Sequence, residues 1–140
     1  MDFGRCYLAI QLILQHYAAE APAALFATYK AEAHNDYGAH FHVVKLFGWL
    51  KHAPAYDLIV EALHNTQPQF QKSRAAAAIA LGELGDTRAI PELKKSLGGR
   101  RWDLKYAALI ALEKLGDNSG NQIVSNDPDW LVKAKAISNS

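Results

Sequence analysis

The stretch "RWDLKYAALIALEKLGD", residues 101–117, restates "SRAAAAIALGELGD", residues 73–86. Superposing the two pairs Arg74 with Lys105, Ile79 with Ile110, Leu81 with Leu112, and Leu84-Gly85-Asp86 with Leu115-Gly116-Asp117, a register of 31 residues. A fixed period of that size marks a chain built by stacking one helical unit on the next. Each unit reads as two helices. The first is Ala-rich and stops at Leu-Gly-Asp, where Gly supplies the left-handed cap and Asp opens the following turn. The second, "TRAIPELKKSL" at 87–97, places Pro91 in its first turn, where a missing N–H costs little, and aligns Ile90, Leu93 and Leu97 on one face.

The phrase weakens outward. Upstream, "HVVKLFGWLKHAPAYDLIVEAL" sets Gly48 against Gly82 and Leu50 against Leu84, 34 residues apart, and Leu63 against Leu97. Downstream, "PDWLVKAKAI" opens another first helix, with Lys133 and Ala136 answering Lys105 and Ala108. Two further helices are predicted near 5–19 and 22–33. The layout is a single domain over 1–140: an N-terminal helix pair (1–34), repeats at 35–66, 67–98 and 99–127, and an unpaired C-terminal helix (128–140). No segment alternates with period two, so no sheet is expected. The spacing, the Ala-rich first helix and the Gly-Asp turn resemble HEAT-like repeats. That resemblance implies an all-α, HEAT-like right-handed α-solenoid of about four helix pairs. Each pair buries its apolar face only against its neighbours. The nearly all-apolar first helix (Tyr7, Leu8, Ile10, Leu12, Ile13, Leu14) and the cluster Trp130, Leu131, Val132 and Ile137 therefore read either as internally packed or as docking points for another chain.

Composition narrows the function classes. Of 140 residues, 50% are hydrophobic and 21% charged, with a net charge of +1, the balance of a soluble domain with a sizeable core. Nucleic acid is not expected as a partner, because phosphate binding needs a concentrated basic face and Lys94-Lys95 and Arg100-Arg101 are too short to make one. The single cysteine, Cys6, excludes an internal disulfide and a thiolate metal site and fits the cytoplasm. It reads as a small buried hydrophobe ahead of a nucleophile. Asp2, Gln11 and Gln15 argue against a signal peptide, and no apolar run reaches the roughly 20 residues of a membrane span.

Few residues offer chemistry of their own. Trp102 stands three before Lys105 and Trp130 three before Lys133, while Phe70 stands four before Arg74. These aromatics either cap the seam between repeats or form a rim for a flat conjugated ligand. Asp86 and Asp117 read as a structural ladder answered by the basic residue of the next unit, Lys105 or Lys133. Asp103 and Asp129 lie in the first turn or at the cap of their helices beside a Trp, where a carboxylate stabilises the helix whatever else it does. His40 and His42, two apart, point to opposite sides of a helix, so no metal site is expected. There is no nucleophile elbow, phosphate loop or dinucleotide fingerprint.

Three segments together resemble one family. "HNDYGAHFHVVKLFGWLKHAPAYDLIVEAL", "RRWDLKYAALIALEKLGD" and "DPDWLVKAKA" are similar to the Asn-Tyr-Gly-Ala, Asp-Trp-x-x-Arg-Tyr-Ala-Ala and Asp-x-Asp-Trp-x-Val-Arg-x-Arg-Ala phrases of the E/F-type phycobilin lyases of cyanobacteria, over residues 34–137. Lys105 and Lys133 stand where that family has Arg, which weakens a bidentate carboxylate role there. The resemblance implies a protein with no tightly bound cofactor whose substrate is an open-chain tetrapyrrole, phycocyanobilin or phycoerythrobilin. It delivers the bilin to a phycobiliprotein cysteine, forming a thioether at the ethylidene carbon of the A ring. The nucleophile is then the acceptor's thiol, and the protein acts by orientation. The residues implied are Asp103 and Asp129 as catalytic groups at the pyrrole nitrogens, Arg100 or Arg101 on a propionate, and Tyr37, His40, Trp102, Tyr106 and Trp130 lining the slot. The partners implied are a phycobiliprotein subunit and either a second HEAT-repeat lyase subunit or a second copy of this chain. The alternative is a non-catalytic HEAT-repeat chaperone or adaptor for phycobiliproteins, in assembly or degradation, or a generic protein-binding scaffold.

Overall fold

Gly85 and Gly116, the glycines of the two repeated Leu-Gly-Asp phrases, adopt φ of 71° and 78°, the left-handed conformation that ends a helix. Just beyond each, an Asp starts the turn. Asp86 Oδ1 accepts from the Arg88 N–H at 2.9 Å and Asp117 Oδ1 from the Ser119 N–H at 2.9 Å.

The computed structural model describes residues 3–32 and 37–139, with side chains for 8–30 and 40–139. Among these residues there is no strand, and the chain forms α1 (Phe3–His16), α2 (Ala21–Glu32), α3 (Tyr37–Trp49), α4 (Tyr56–His64), α5 (Gln71–Leu84), α6 (Ala89–Ser96), α7 (Trp102–Lys114), α8 (Gly120–Ile123) and α9 (Trp130–Ser138). Short 3₁₀ turns at Ala53–Ala55 and Pro68–Phe70 precede α4 and α5, each with a proline at its start. Helices α3, α5, α7 and α9 lie side by side in one layer; α2, α4, α6 and α8 form the second, each packed on the first-layer helix that follows it. The result is an all-α solenoid.

The core runs between the layers through Phe47, Ile59, Leu63, Leu81, Leu93, Leu109 and Leu112, all essentially buried. Helix α1 rests on it through Ile10 and Ile13 and leaves Leu8 and Leu12 exposed. Cys6 lies outside the described side chains. The second helix of the third unit is a single turn, Gly120–Ile123, because Asn118, Ser119 and Gly120 are poor helix formers and Asp117 binds both the backbone and the hydroxyl of Ser119 instead.

The first-layer helices approach closely because small residues face one another. A Cβ on Gly48 would lie 2.7 Å from Ala80 Cα, and one on Gly82 would lie 2.8 Å from Ala111 Cα. Ala80 and Ala111 are one register apart, so the same backbone contact recurs between α3 and α5 and between α5 and α7.

The expected ladder from Asp86 and Asp117 to Lys105 and Lys133 does not form. Glu83 of α5 pairs with Lys114 of α7, which puts the C-terminal ends of these parallel helices together. Asp86 is therefore about a helix length, roughly 20 Å, from Lys105. Asp86 pairs with Arg88 instead (2.6 Å), Asp117 with Lys94 (3.0 Å), and Lys105 with Asp127 (2.5 Å).

Candidate functional site

Close packing of the first layer leaves an apolar trough on the face away from the second. On α3, residues four apart form one stripe: Phe41, Lys45 and Trp49. Along α5 the floor is Ala75, Ala76, Ile79 and Ala80, with Lys72 at one end and Glu83 at the other; Asp103 closes the α7 side. The groove has a volume of about 310 Å³, within the roughly 300–1,000 Å³ range of small-molecule sites. Ile79, 40% exposed, adds apolar surface to the floor.

Lys45 Nζ lies 5.8 Å from the Phe41 ring centre and 5.0 Å from that of Trp49, so the stripe holds a cation between two aromatic faces. Across the groove, Asp103 takes two hydrogen bonds from Arg101, Nε to Oδ1 at 3.0 Å and Nη2 to Oδ2 at 2.8 Å. Burial pushes the Asp103 carboxyl up, but the Arg101 side chain and the N–H groups of Leu104 and Asp103 itself outweigh it and hold the group below its ordinary value. Asp103 is thus a carboxylate at neutral pH, an acceptor for N–H groups and not a proton donor. Arg74 stands behind this pair, with Nε donating to the Leu63 carbonyl at 2.9 Å. Burial, then Arg101, depresses its pKa, while Asp103 acts the other way.

The residues expected at one rim are dispersed. Asp129 is the N-cap of α9, accepting from the N–H groups of Leu131 (2.9 Å) and Val132 (3.2 Å). Trp102 and Trp130 project into solvent, 49% and 73% exposed, and neither lines the groove. Phe70 is buried against His40 with ring centres 4.7 Å apart, so it does not continue their row. His40 lies in the core, its Nδ1 2.8 Å from Ser73 Oγ and its ring against Tyr29, and burial lowers its pKa. Burial, then Glu61, pushes the Tyr29 hydroxyl up to about 12. Arg100 lines a different cavity, about 430 Å³, with Lys105 and Asp127. Tyr106 is half-buried on α7 and outside the groove lining, and the side chain of Tyr37 lies outside the described residues. Of the expected residues, the groove gathers Asp103, with Arg101 behind it. Sequence reading missed Phe41, Lys45, Trp49, Lys72 and Glu83. The four-residue spacing of Phe41, Lys45 and Trp49 was visible, but it reads equally well as a buried stripe.

Among the described residues no group of three or more His, Cys, Asp or Glu is placed to hold a metal ion, and no helix is long and apolar enough to cross a membrane.

Two-layer stacking with a ligand-sized trough on the first layer defines an α-helical repeat protein. The sequence model of the HEAT repeats matches residues 25–113 and 57–139, and the chain belongs to that family. Over 134 residues, 96% of this chain, it is 68% identical to the "Uncharacterized phycocyanin operon protein Y" of Pseudanabaena tenuis (strain PCC 7409), of which the match covers 32%. Over 151 residues, again 96% of this chain, it is 34% identical to the "Bilin biosynthesis protein CpeY" of Synechococcus sp. (strain WH8020), of which the match covers 36%. The chain thus spans about a third of the length of the curated relatives it matches.

Proposed function

We propose that this chain handles bilin: it binds an open-chain tetrapyrrole in the groove between α3, α5 and α7 and assists thioether attachment to a phycobiliprotein cysteine. The observation that carries the reading is the groove itself, with an alanine floor, an aromatic wall and a carboxylate held ionised opposite it. The names of the two relatives, one from a phycocyanin operon and one from bilin biosynthesis, favour a tetrapyrrole over other flat ligands.

The chemistry asked of the protein is modest. An acceptor thiol adds across the ethylidene double bond, so sulfur bonds to the ethylidene carbon, the proton ends on the A ring, and nothing leaves. The Asp103 carboxylate accepts hydrogen bonds from pyrrole N–H groups. It thereby favours the protonated, more electrophilic chromophore, while Arg101 fixes its direction. Phe41 and Trp49 lie against the conjugated system and limit its rotation. Asp129, committed to capping α9, serves by holding that helix.

A second reading is a chaperone or adaptor for phycobiliprotein subunits. It is favoured by Trp102 and Trp130, large apolar groups in solvent and outside the groove, which suit a protein surface. A partner repeat subunit or a second copy of this chain fits the same exposed residues.

The experiment mixes the protein with phycocyanobilin or phycoerythrobilin, with and without an apo-phycobiliprotein subunit, and follows absorption and then pigment retained after denaturation. A red-shifted complex with a covalent adduct is the lyase outcome. Binding with no adduct, together with a more soluble acceptor, is the chaperone outcome. No spectral change with either bilin overturns the lyase reading, and an acceptor no more soluble with the protein than without it overturns the chaperone reading.

A further inference from the structure

The charges that line the groove cancel in number, but its acids are paired from outside it, which leaves a positive remainder. Four ionisable side chains line it: Lys45, Lys72, Glu83 and Asp103. Both acids are neutralised from outside it, Glu83 by Lys114 and Asp103 by Arg101. Among the described residues, neither lysine makes an ion pair; Lys45 touches the rings of Phe41 and Trp49, and Lys72 is exposed. The groove thus presents two uncompensated positive charges beside an apolar floor. Lys45 is already held by its two rings, so less side-chain entropy remains to be lost when it meets an anion.

We infer that the groove selects a dianion: an elongated, flat, largely apolar molecule with two carboxylates, one taken by Lys45 and the other by Lys72. These two lysines determine specificity, whereas Arg100 faces another cavity and Arg101 is spent on Asp103. The inference deepens the bilin reading, since a bilin carries two propionates, but its charge requirement is tested apart from that reading.

The test is a binding titration, read by quenching of tryptophan fluorescence and by bilin absorption, using phycocyanobilin as free diacid and as dimethyl ester. Two aromatic dyes serve as bilin-independent probes: the disulfonate bis-ANS and the neutral Nile red. The variants are Lys45→Met, Lys72→Met and Lys45→Arg, each checked for native helicity and melting.

The expected result is that each Met variant weakens diacid binding about tenfold, about 1.4 kcal/mol. The ester and Nile red are unaffected, Lys45→Arg restores binding, and added salt weakens the diacid but not the ester. If diacid and ester bind the native protein equally, or both Met variants bind the diacid as the native protein does, the inference is overturned while the bilin reading stands. If no bilin binds but bis-ANS binding falls about tenfold in each Met variant with Nile red unchanged, the dianion inference stands and the bilin reading fails. If bis-ANS is also indifferent to both substitutions, both fail.

Discussion

Lys105→Met breaks the most buried ion pair of the described residues. The side chains of Lys105 and Asp127 are 5% and 7% exposed, with Nζ 2.5 Å from Oδ2. The other oxygen of Asp127 accepts from the Asp129 N–H at 2.9 Å. Burial alone pushes the Asp127 carboxyl up, but Lys105, the Asp129 N–H and Lys133 together hold it below its ordinary value. The stability this contributes is present above about pH 4 and is lost as pH falls through the lowered folded-state value. With methionine in place of the ammonium, Asp127 is left charged and buried, and breaking such a pair costs about 3–5 kcal/mol. Because Asp127 keeps one backbone hydrogen bond and the field of Lys133, the low end, about 3 kcal/mol, applies here. At a urea slope of about 2 kcal/mol per molar, the midpoint at pH 7 falls by about 1.5 M. Burial now dominates the titration of Asp127, so the gap between variant and native protein narrows as pH falls through the carboxylate range. Adding Asp127→Asn recovers most of the loss at pH 7, because the neutral amide still accepts from the Asp129 N–H. A Lys105→Met midpoint within about 0.5 M of native at pH 7, or a gap that does not shrink with pH, refutes the account of a desolvated pair.

Gly82→Ala trades a gain in helix propensity of about 1 kcal/mol against a Cβ thrust onto the Ala111 backbone, with a net loss of about 1–2 kcal/mol read as a Tm about 4–8 °C lower; an unchanged or higher Tm shows that the helices separate freely. His40 is buried neutral with a lowered pKa, so stability declines as pH falls from about 6.5, above the range where the shifted carboxylates contribute. His40→Gln flattens the urea midpoint between pH 7.5 and 5.5, and an equal slope in native and variant rules His40 out as its source. Asp103→Asn diminishes the red shift of bound phycocyanobilin, while Trp102→Ala and Trp130→Ala leave it unchanged and slow transfer to the acceptor; an Asp103→Asn complex with the native spectrum removes the carboxylate from the site.

The repeat was legible because its signals are local. Gly85 and Gly116 do what a Leu-Gly-Asp phrase demands of any chain, and the 31-residue register carried Ala80 onto Ala111 whatever lay between. The groove was not legible for a related reason. Phe41, Lys45 and Trp49 share a face at spacing four, but their partner wall lies some 30–60 residues away, and whether that face is buried or open depends on how closely α3 and α5 approach. That distance is set by Gly48 on Ala80, a contact no single-helix pattern contains. The ion pairs failed for want of helix direction: Asp86 closes one unit and Lys105 opens the first helix of the next, but they lie at opposite ends of neighbouring parallel helices. Trp102-Asp103 and Asp129-Trp130 attract attention as a Trp beside an Asp, yet the order is reversed: Asp129 falls at the position of Arg101 and caps its helix, whereas Asp103 lies further on, in the first turn, and closes the groove.

The aromatic wall comes from one helix and is therefore a ruler. Phe41 and Trp49 are eight residues apart, which at about 1.5 Å per residue sets their rings about 12 Å apart along α3. A single heterocycle cannot reach both ends, and a chain of several rings that satisfies both must lie along the helix. If the groove takes an extended tetrapyrrole, as proposed, the pigment outruns such a strip and a terminal ring lies beyond the aromatic wall. Under the proposed bilin reading, that overhang is the part an acceptor thiol would reach, and the length of the wall sets how much of the pigment is offered.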